Sequence, residues 1–282
     1  KFIKNSSRVT NIVQGNMEVH HNKLDKKFQT ILFPLNMPHN ILCSIKFNLT
    51  SDCITPNSTF LNVINVVTCL IFSGINLYLL NENTLTLQSI DQKIIVINTI
   101  YYAVVFIFLT VITVIKSPLH VSFILKNHEI YKFFKLKYSF KDIIINNWLY
   151  FFTIALCYVV CEFSYTIGDE GKHLLGLFIE IYSSNLDLSI ISATCMMKLL
   201  RRFTEMWTEE IIKYNSHAAS CGERIIGEFY GKMIQIYILL KEAYQLFQKI
   251  YLELVSTYTC RDTSLLILLN RRNDVNDDVS SY

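Results

Sequence analysis

Long apolar runs separated by short polar stretches dominate residues 60 to 197 of the chain. The clearest run, Ile94–Ile115, is 22 residues long and contains no charge, no Gly and no Pro. As a helix it measures about 33 Å, which is the thickness of the hydrocarbon core of a bilayer. A strand of ordinary length needs no such run, so the pattern predicts a membrane-spanning helix.

Three further runs have the same character, and together they predict four spans. They are Phe60–Leu80, Trp148–Ile167 and His173–Met197. The polar residues between them predict a short loop at 81–93 and a tight acidic turn at 168–172. The third run opens on a tryptophan, a residue type enriched at the membrane–water interface.

An earlier apolar segment, Phe28–Phe47, is not counted as a span. Pro34 and Pro38 lie four residues apart within it and are expected to break a helix. The segment is also short for a crossing. We therefore interpret it as a surface or re-entrant segment.

The positions of Lys and Arg predict the orientation. The predicted loop 116–147 carries six lysines against one Glu and one Asp, and both the tail 1–27 and the residues after Met197 are basic. Basic segments stay in the cytosol, and four spans place all of them on that side. The chain is thus predicted to be a multi-pass protein of the plasma membrane with a cytosolic amino-terminal region. Its 51% hydrophobic and 17% charged composition agrees, and a net charge of +3 gives no reason to expect nucleic acid.

Two amphipathic helices are predicted after the fourth span. The first continues it, with apolar positions at Leu200, Phe203, Trp207, Ile211 and Tyr214. The second has a heptad-like seam that should pack either on the first or on a neighbouring subunit; its positions are Ile226, Tyr230, Met233, Tyr237, Leu240, Tyr244, Phe247 and Tyr251.

The predicted organisation is therefore an all-α, polytopic transmembrane helix bundle. Residues 1–59 are expected to form a cytosolic tail with a short apolar helical segment, and residues 60–197 a four-span bundle. Residues 198–255 are expected to form cytosolic helices leading to a fifth span, and residues 256–282 an atypical tail.

The sequence contains no catalytic triad pattern, phosphate-binding loop or metal-binding spacing, so we expect neither an enzyme nor a cofactor. The eight cysteines form no CxxC pair and are interpreted as packing residues in a reducing compartment. Asn48-Leu-Thr50 and Asn57-Ser-Thr59 match the glycosylation pattern, but their cytosolic placement predicts that both are unmodified.

Carboxylates inside the predicted spans are the candidate functional groups. An ionisable side chain in a membrane core costs about 2.5 kcal/mol or more unless it faces a polar cavity or a partner. Glu180 and Asp187, seven residues apart on one helix face, are interpreted as lining a ligand cavity or ion path, whereas Glu162 also fits an interhelical hydrogen bond or an interface position. Tyrosines could line the same cavity, although each fits simple packing as well: Tyr101, Tyr102, Tyr158, Tyr165 and Tyr182.

Three segments resemble the insect gustatory (taste) receptor family, in its divergent lepidopteran form. They are FQTILFPLN at 28–36, PNSTFLNVI at 56–64 and IYILLKEAYQLFQKIYLELV at 236–255. The resemblance implies a seven-helix membrane protein inverted relative to G-protein-coupled receptors. It further implies a homo- or hetero-tetrameric ligand-gated cation channel, with a pocket for a small-molecule tastant among the first spans. The cytosolic helices would form an anchor between subunits.

The resemblance is incomplete, because the family's closing Thr-Tyr and Gln-Phe motif on a pore-lining seventh helix has no counterpart here. We therefore expect the chain as given not to conduct alone and to be a fragment, a mis-spliced product or a defective one. Odorant receptors share the architecture and are one alternative. A fragment of an ion-coupled secondary transporter using Glu180 and Asp187 is another, and a structural membrane protein is a third.

Overall fold

A computed structural model describes residues 22–41, 44–50, 52–84, 90–166, 173–217, 227–252 and 256. This part of the chain is mostly helical, which confirms the all-α class. The elements in order are helix α1 (Lys26–Ile41), strands β1 (Asn48–Thr50) and β2 (Cys53–Thr55), and helices α2 (Thr59–Thr84), α3 (Ile90–Phe134), α4 (Lys141–Thr166) and α5 (His173–His217). Residues 227–252 form a further helix, α6.

Helices α3 and α5 are each 45 residues long. Each therefore measures about 67 Å, roughly twice the thickness of a bilayer core. The prediction that the amphipathic segment 198–214 extends the preceding apolar run is confirmed, because α5 is continuous through it. Each long helix thus joins an apolar first part to a charged second part.

The expectation of a basic loop over 116–147 is wrong. Helix α3 continues to Phe134, and only residues 135–140 separate it from α4. The helix persists among the lysines because its apolar side chains keep a helical spacing that buries one face; those side chains are Val121, Ile124, Tyr131 and Phe134.

Helix α1 continues through Pro34 and Pro38, so the expectation that these prolines break a helix is wrong. A proline inside a helix costs about 3 kcal/mol. Burying a large apolar side chain contributes about 1.5–3 kcal/mol, and Phe28, Ile31 and Leu32 are all fully buried. Tertiary packing therefore offsets the two prolines. The interpretation of 28–47 as a surface or re-entrant segment stays a prediction.

A two-stranded antiparallel hairpin follows α1 and was not predicted. Asp52, in the loop between the strands, has a φ of 70°, a left-handed conformation that Asp tolerates better than most residues. The backbone N–H of Leu24 donates to the carbonyl of Asp52 at 2.7 Å, and that of Ile54 donates to Asn22 at 3.0 Å. The hairpin thereby holds the residues that lead into α1.

The main core lies where α1, the second part of α3, the second part of α5 and α6 meet. Its centre is aromatic: the ring of Phe203 lies 6.3 Å from that of Phe134 and 5.9 Å from that of Phe140. Phe203 and Phe134 are fully buried. This packed half of the molecule contains most of the described charged residues on its surface.

The other half of the molecule exposes apolar side chains. Two helices there, Thr99–Phe134 and Lys141–Val160, are long and apolar enough to cross a bilayer, and they overlap the second and third predicted spans. The described apolar part of α2, Thr59–Ile75, is shorter than a span. The side chains of residues 173–183 in the fourth predicted span lie outside the described part of the structure.

Helix α6 is present as predicted, but its buried stripe is rotated from the predicted seam. The buried side chains include Met233, Ile236, Leu240, Ala243, Phe247 and Ile250. Met233, Leu240, Phe247 and Tyr251 belong to the predicted seam and are buried, whereas Tyr230 and Tyr237 are exposed.

The described contacts of α6 include helix α5, which confirms one of the two predicted partners. The indole Nε1–H of Trp207 donates to the Met233 carbonyl at 2.9 Å. The rings of Tyr214 and Phe229 stack with their centroids 3.7 Å apart. The exposed side of α6 carries an apolar patch, Ile234, Tyr237 and Ile238, among polar and charged residues.

Candidate functional site

A hydrogen bond joins α4 to α5 in the apolar half of the molecule. The Tyr158 hydroxyl donates to the Asp187 carboxylate at 2.7 Å, and both side chains are half-buried. Among the described residues of 59–75, 96–115, 143–160 and 184–197, Asp187 is the single charged one. The structure thus brings together two side chains that the sequence assigned to one cavity.

The other predicted site residues are placed less fully. Tyr101 lies on α3 and is half-buried. The remaining four belong to helices α3, α4 and α5, but their side chains lie outside the described part of the structure; they are Tyr102, Glu162, Glu180 and Tyr182. Tyr165 also lies outside it. Their roles stay predictions.

Buried polar residues accompany this pair and were not singled out from the sequence. Asn65, Ser73, Thr99 and Asn185 are buried in the apolar half. Small and polar residues allow close helix approach in a membrane and hydrogen-bond across helices. These polar residues interrupt otherwise apolar, uncharged runs, and that feature of the sequence could have identified them as buried contacts between helices.

Basic and aromatic side chains meet where the apolar half ends. The Lys198 ammonium lies over the ring of Tyr150, 4.4 Å from its centroid, and contacts its hydroxyl. The ring of Trp148 lies 5.9 Å from that of Phe33 on α1. Lys116 donates to backbone carbonyls in the last turn of α6, at Lys249 and Ile250. Such a belt is typical of residues at a membrane–water interface.

A second polar cluster lies inside the packed half, and the sequence analysis missed it. Lys46, His39 and His120 are buried and line one small cavity. Burial lowers the pKa of Lys46 to about 7, and burial also lowers the pKa of His39 well below its usual value. The available signal was a lysine within the apolar sequence ILCSIKF.

The ends of α3 and α5 are joined by a buried acid. Glu210 pairs with Lys137 and accepts a hydrogen bond from the Tyr138 hydroxyl at 3.1 Å. Burial, followed by the Glu210 hydrogen bond, raises the pKa of Tyr138, so this phenol stays protonated. The contacts attach the 135–140 turn to α5.

Comparison with known proteins yields no match to a family model, a curated protein or a solved structure. Within the part of the chain that the structure describes, no group of three or more His, Cys, Asp or Glu residues is arranged to hold a metal. The function is therefore argued from the distribution of apolar surface and charge, together with the Tyr158–Asp187 pair.

Proposed function

We propose that the chain is a multi-pass membrane protein of the taste-receptor type, which binds a small-molecule ligand among its spans. The observation that carries this proposal is the Asp187 carboxylate, which accepts a hydrogen bond from Tyr158 and is the single charged residue among the described residues of 59–75, 96–115, 143–160 and 184–197. The resemblance of segments 28–36, 56–64 and 236–255 to taste receptors supports the class of ligand.

Exposed apolar surface supports the membrane part of the proposal. Only 6% of the apolar window of Lys141–Val160 is buried, so α4 is unlike the core helix of a water-soluble protein. Leu149, Phe152, Leu156 and Val159 each expose about 60% of their surface. In water the exposure of each side chain costs about 1–2 kcal/mol relative to full burial. Contact with the lipid of a bilayer removes that cost.

Charge supports the orientation. Among the side chains that the structure describes, the charges of α3 begin at Lys116 and those of α4 end at Asp142. In α5, the next described charge after Asp187 is Lys198. The excess of Lys over acidic residues in 116–141 favours a cytosolic location for the packed half. The amino-terminal region would then be cytosolic too, and the site of action would be the plasma membrane.

The Tyr158–Asp187 pair supports a ligand-binding role. A carboxylate in a membrane half is retained where it faces a partner, a polar cavity or a ligand. A polar or cationic tastant could accept from Tyr158 or donate to Asp187 in place of their mutual hydrogen bond. The predicted residues Glu180, Tyr101, Tyr102, Tyr182 and Glu162 would extend this site.

The packed half supports a role in assembly. Helices α3 and α5 reach about one bilayer thickness beyond the apolar half, which would place the packed half in the cytosol. The exposed apolar face of α6, with Ile234, Tyr237 and Ile238, is suited to contact another receptor subunit in a tetramer.

The orientation is tested by epitope tags at residue 10 and within 135–140, stained in intact and in permeabilised cells. We expect staining only after permeabilisation. Staining of intact cells would reverse the orientation and remove the support for a taste-receptor type.

Ligand binding is tested by thermal stabilisation of the purified protein across a panel of bitter compounds and sugars. This assay does not require the chain to conduct. We expect a stabilising compound whose effect is lost in Asp187→Asn and reduced in Tyr158→Phe. Asp142→Asn makes the same charge change at an exposed position and is the matched control.

Two outcomes would contradict the proposal. No stabilisation by any compound, with native folding confirmed, would leave a structural membrane protein as the better interpretation. Proton-coupled solute uptake that is lost in Asp187→Asn would instead favour a secondary transporter.

A further inference from the structure

A small, partly open cavity in the packed half brings cationic and polar groups together among apolar side chains. Lys46 follows α1, His39 lies near its end, and His120 comes from α3. The cavity volume is about 10 Å³, which is room for one guest the size of a water molecule. The ring of Tyr251 from α6 closes one side, 5.8 Å from the Lys46 ammonium.

The polar atoms at this cavity lack sufficient partners. Three buried side-chain atoms there have no hydrogen-bond partner: Lys46 Nζ, His39 Nε2 and Asn36 Oδ1. None of the described residues lining the cavity is acidic. Burying an ammonium without a hydrogen bond or counter-charge costs several kcal/mol. A bound molecule or ion that accepts hydrogen bonds from these groups would remove much of that cost.

Ser44 sets the orientation of His39. Its hydroxyl lies 2.9 Å from His39 Nδ1, and its backbone N–H donates to the His39 carbonyl at 2.8 Å. When the Ser44 hydroxyl donates to Nδ1, the opposite nitrogen carries a hydrogen and becomes a donor. His39 Nε2–H and the Lys46 ammonium then supply two donors from different segments.

We propose that this cavity binds a small monovalent anion of halide size between Lys46, His39 and His120. The anion supplies the counter-charge that the surrounding residues do not, and it accepts charge-assisted hydrogen bonds from the ammonium and imidazole. It thereby joins α1 and α3 beside α6 in the packed half. This site is separate from the Tyr158–Asp187 pair and does not depend on the proposed function.

A bound anion is favoured over a bound water by the charges around the cavity. A water molecule satisfies hydrogen bonds but leaves the positive charge of Lys46 uncompensated. Binding should weaken above about pH 7, because the lowered pKa of Lys46 makes it neutral there. The other titratable groups that face or influence the cavity are His39, His120, Lys116, Tyr251 and Cys195.

The proposal is tested on the purified full chain in nanodiscs. Chloride is titrated against gluconate at constant ionic strength while the thermal midpoint is measured. We expect a saturable rise of about 3 °C at a chloride concentration roughly ten times the Kd, and a smaller rise above pH 7. Lys46→Met should abolish the chloride-specific rise, whereas Lys27→Met, an exposed lysine on α1, should retain it.

A direct measurement covers the case in which Lys46→Met does not fold. Line broadening of the chloride NMR signal by the wild-type protein should be competed by bromide and reversed at high pH. Absence of both the broadening and the thermal shift would mean that water alone fills the cavity. An unchanged chloride response in folded Lys46→Met would also overturn the proposal.

Discussion

Replacing Lys46 by Met is expected to stabilise the protein and to remove much of the pH dependence of its stability. Lys46 is 6% exposed, and burial lowers its pKa from 10.5 to about 7. Between these two values the unfolded chain binds a proton that the folded chain does not. The free energy of unfolding therefore rises with pH across this window, and the penalty is complete below it.

The magnitude follows from the same pKa difference. In gluconate buffer, where no chloride compensates the charge, the penalty at pH 7 is about 4 kcal/mol and falls by about 2 kcal/mol by pH 9. Met preserves most of the side-chain volume and removes the ammonium, so Lys46→Met should regain most of that penalty. Its thermal midpoint at neutral pH should exceed that of wild type by about 10 °C.

The assay is thermal unfolding from about pH 7 to 9, monitored by intrinsic fluorescence, for wild type, Lys46→Met and Lys27→Met. The difference between wild type and Lys46→Met isolates Lys46 from other groups that titrate. This difference should shrink as pH rises, and Lys27→Met should follow wild type. Parallel curves for wild type and Lys46→Met would refute the reasoning, because Lys46 would then have its ordinary pKa.

The other predictions concern the core, one ion pair and one glycosylation motif. Phe203→Ala should cost about 3–5 kcal/mol in chemical or thermal unfolding, because Phe203 is fully buried, whereas Phe152→Ala on the exposed face of α4 should cost much less in nanodiscs. Asp25→Asn should cost under about 1 kcal/mol at neutral pH, and the cost should shrink with added salt. The hydrogen bond from Lys135 lowers the pKa of Asp25, so its contribution is present above about pH 4 and lost as pH falls further. Glycosidase treatment should leave the gel mobility unchanged, because both acceptor motifs lie in the region proposed to be cytosolic; a shift abolished by Asn57→Gln would contradict this.

The sequence by itself determined the helical class and the division between apolar and charged segments. A run of 22 uncharged residues predicts a long helix because only a helix satisfies its backbone without water. The spacing of Leu200 and Phe203 likewise predicted a buried face, and both residues are fully buried. Asp187 lies in an apolar run where a carboxylate needs a partner, but the sequence offered Tyr158 only as one of several tyrosines that could lie near it.

Only the tertiary structure decided how these elements continue and which faces meet. Pro34 and Pro38 remain helical because the burial of Phe28 and its neighbours outweighs the tendency of proline to break a helix. That tendency can be read from the sequence, whereas the burial cannot. The buried stripe of α6 also includes Ala243, outside the predicted seam, because the side chains that cover α6 belong to elements distant along the chain, such as Phe123 against Phe247. Lys46 appeared as an ordinary cation near an apolar run, because its burial depends on residues far apart in sequence, such as His120 and Tyr251. Helical periodicity is a property of neighbours along the chain, whereas burial of a charge is a property of neighbours in space.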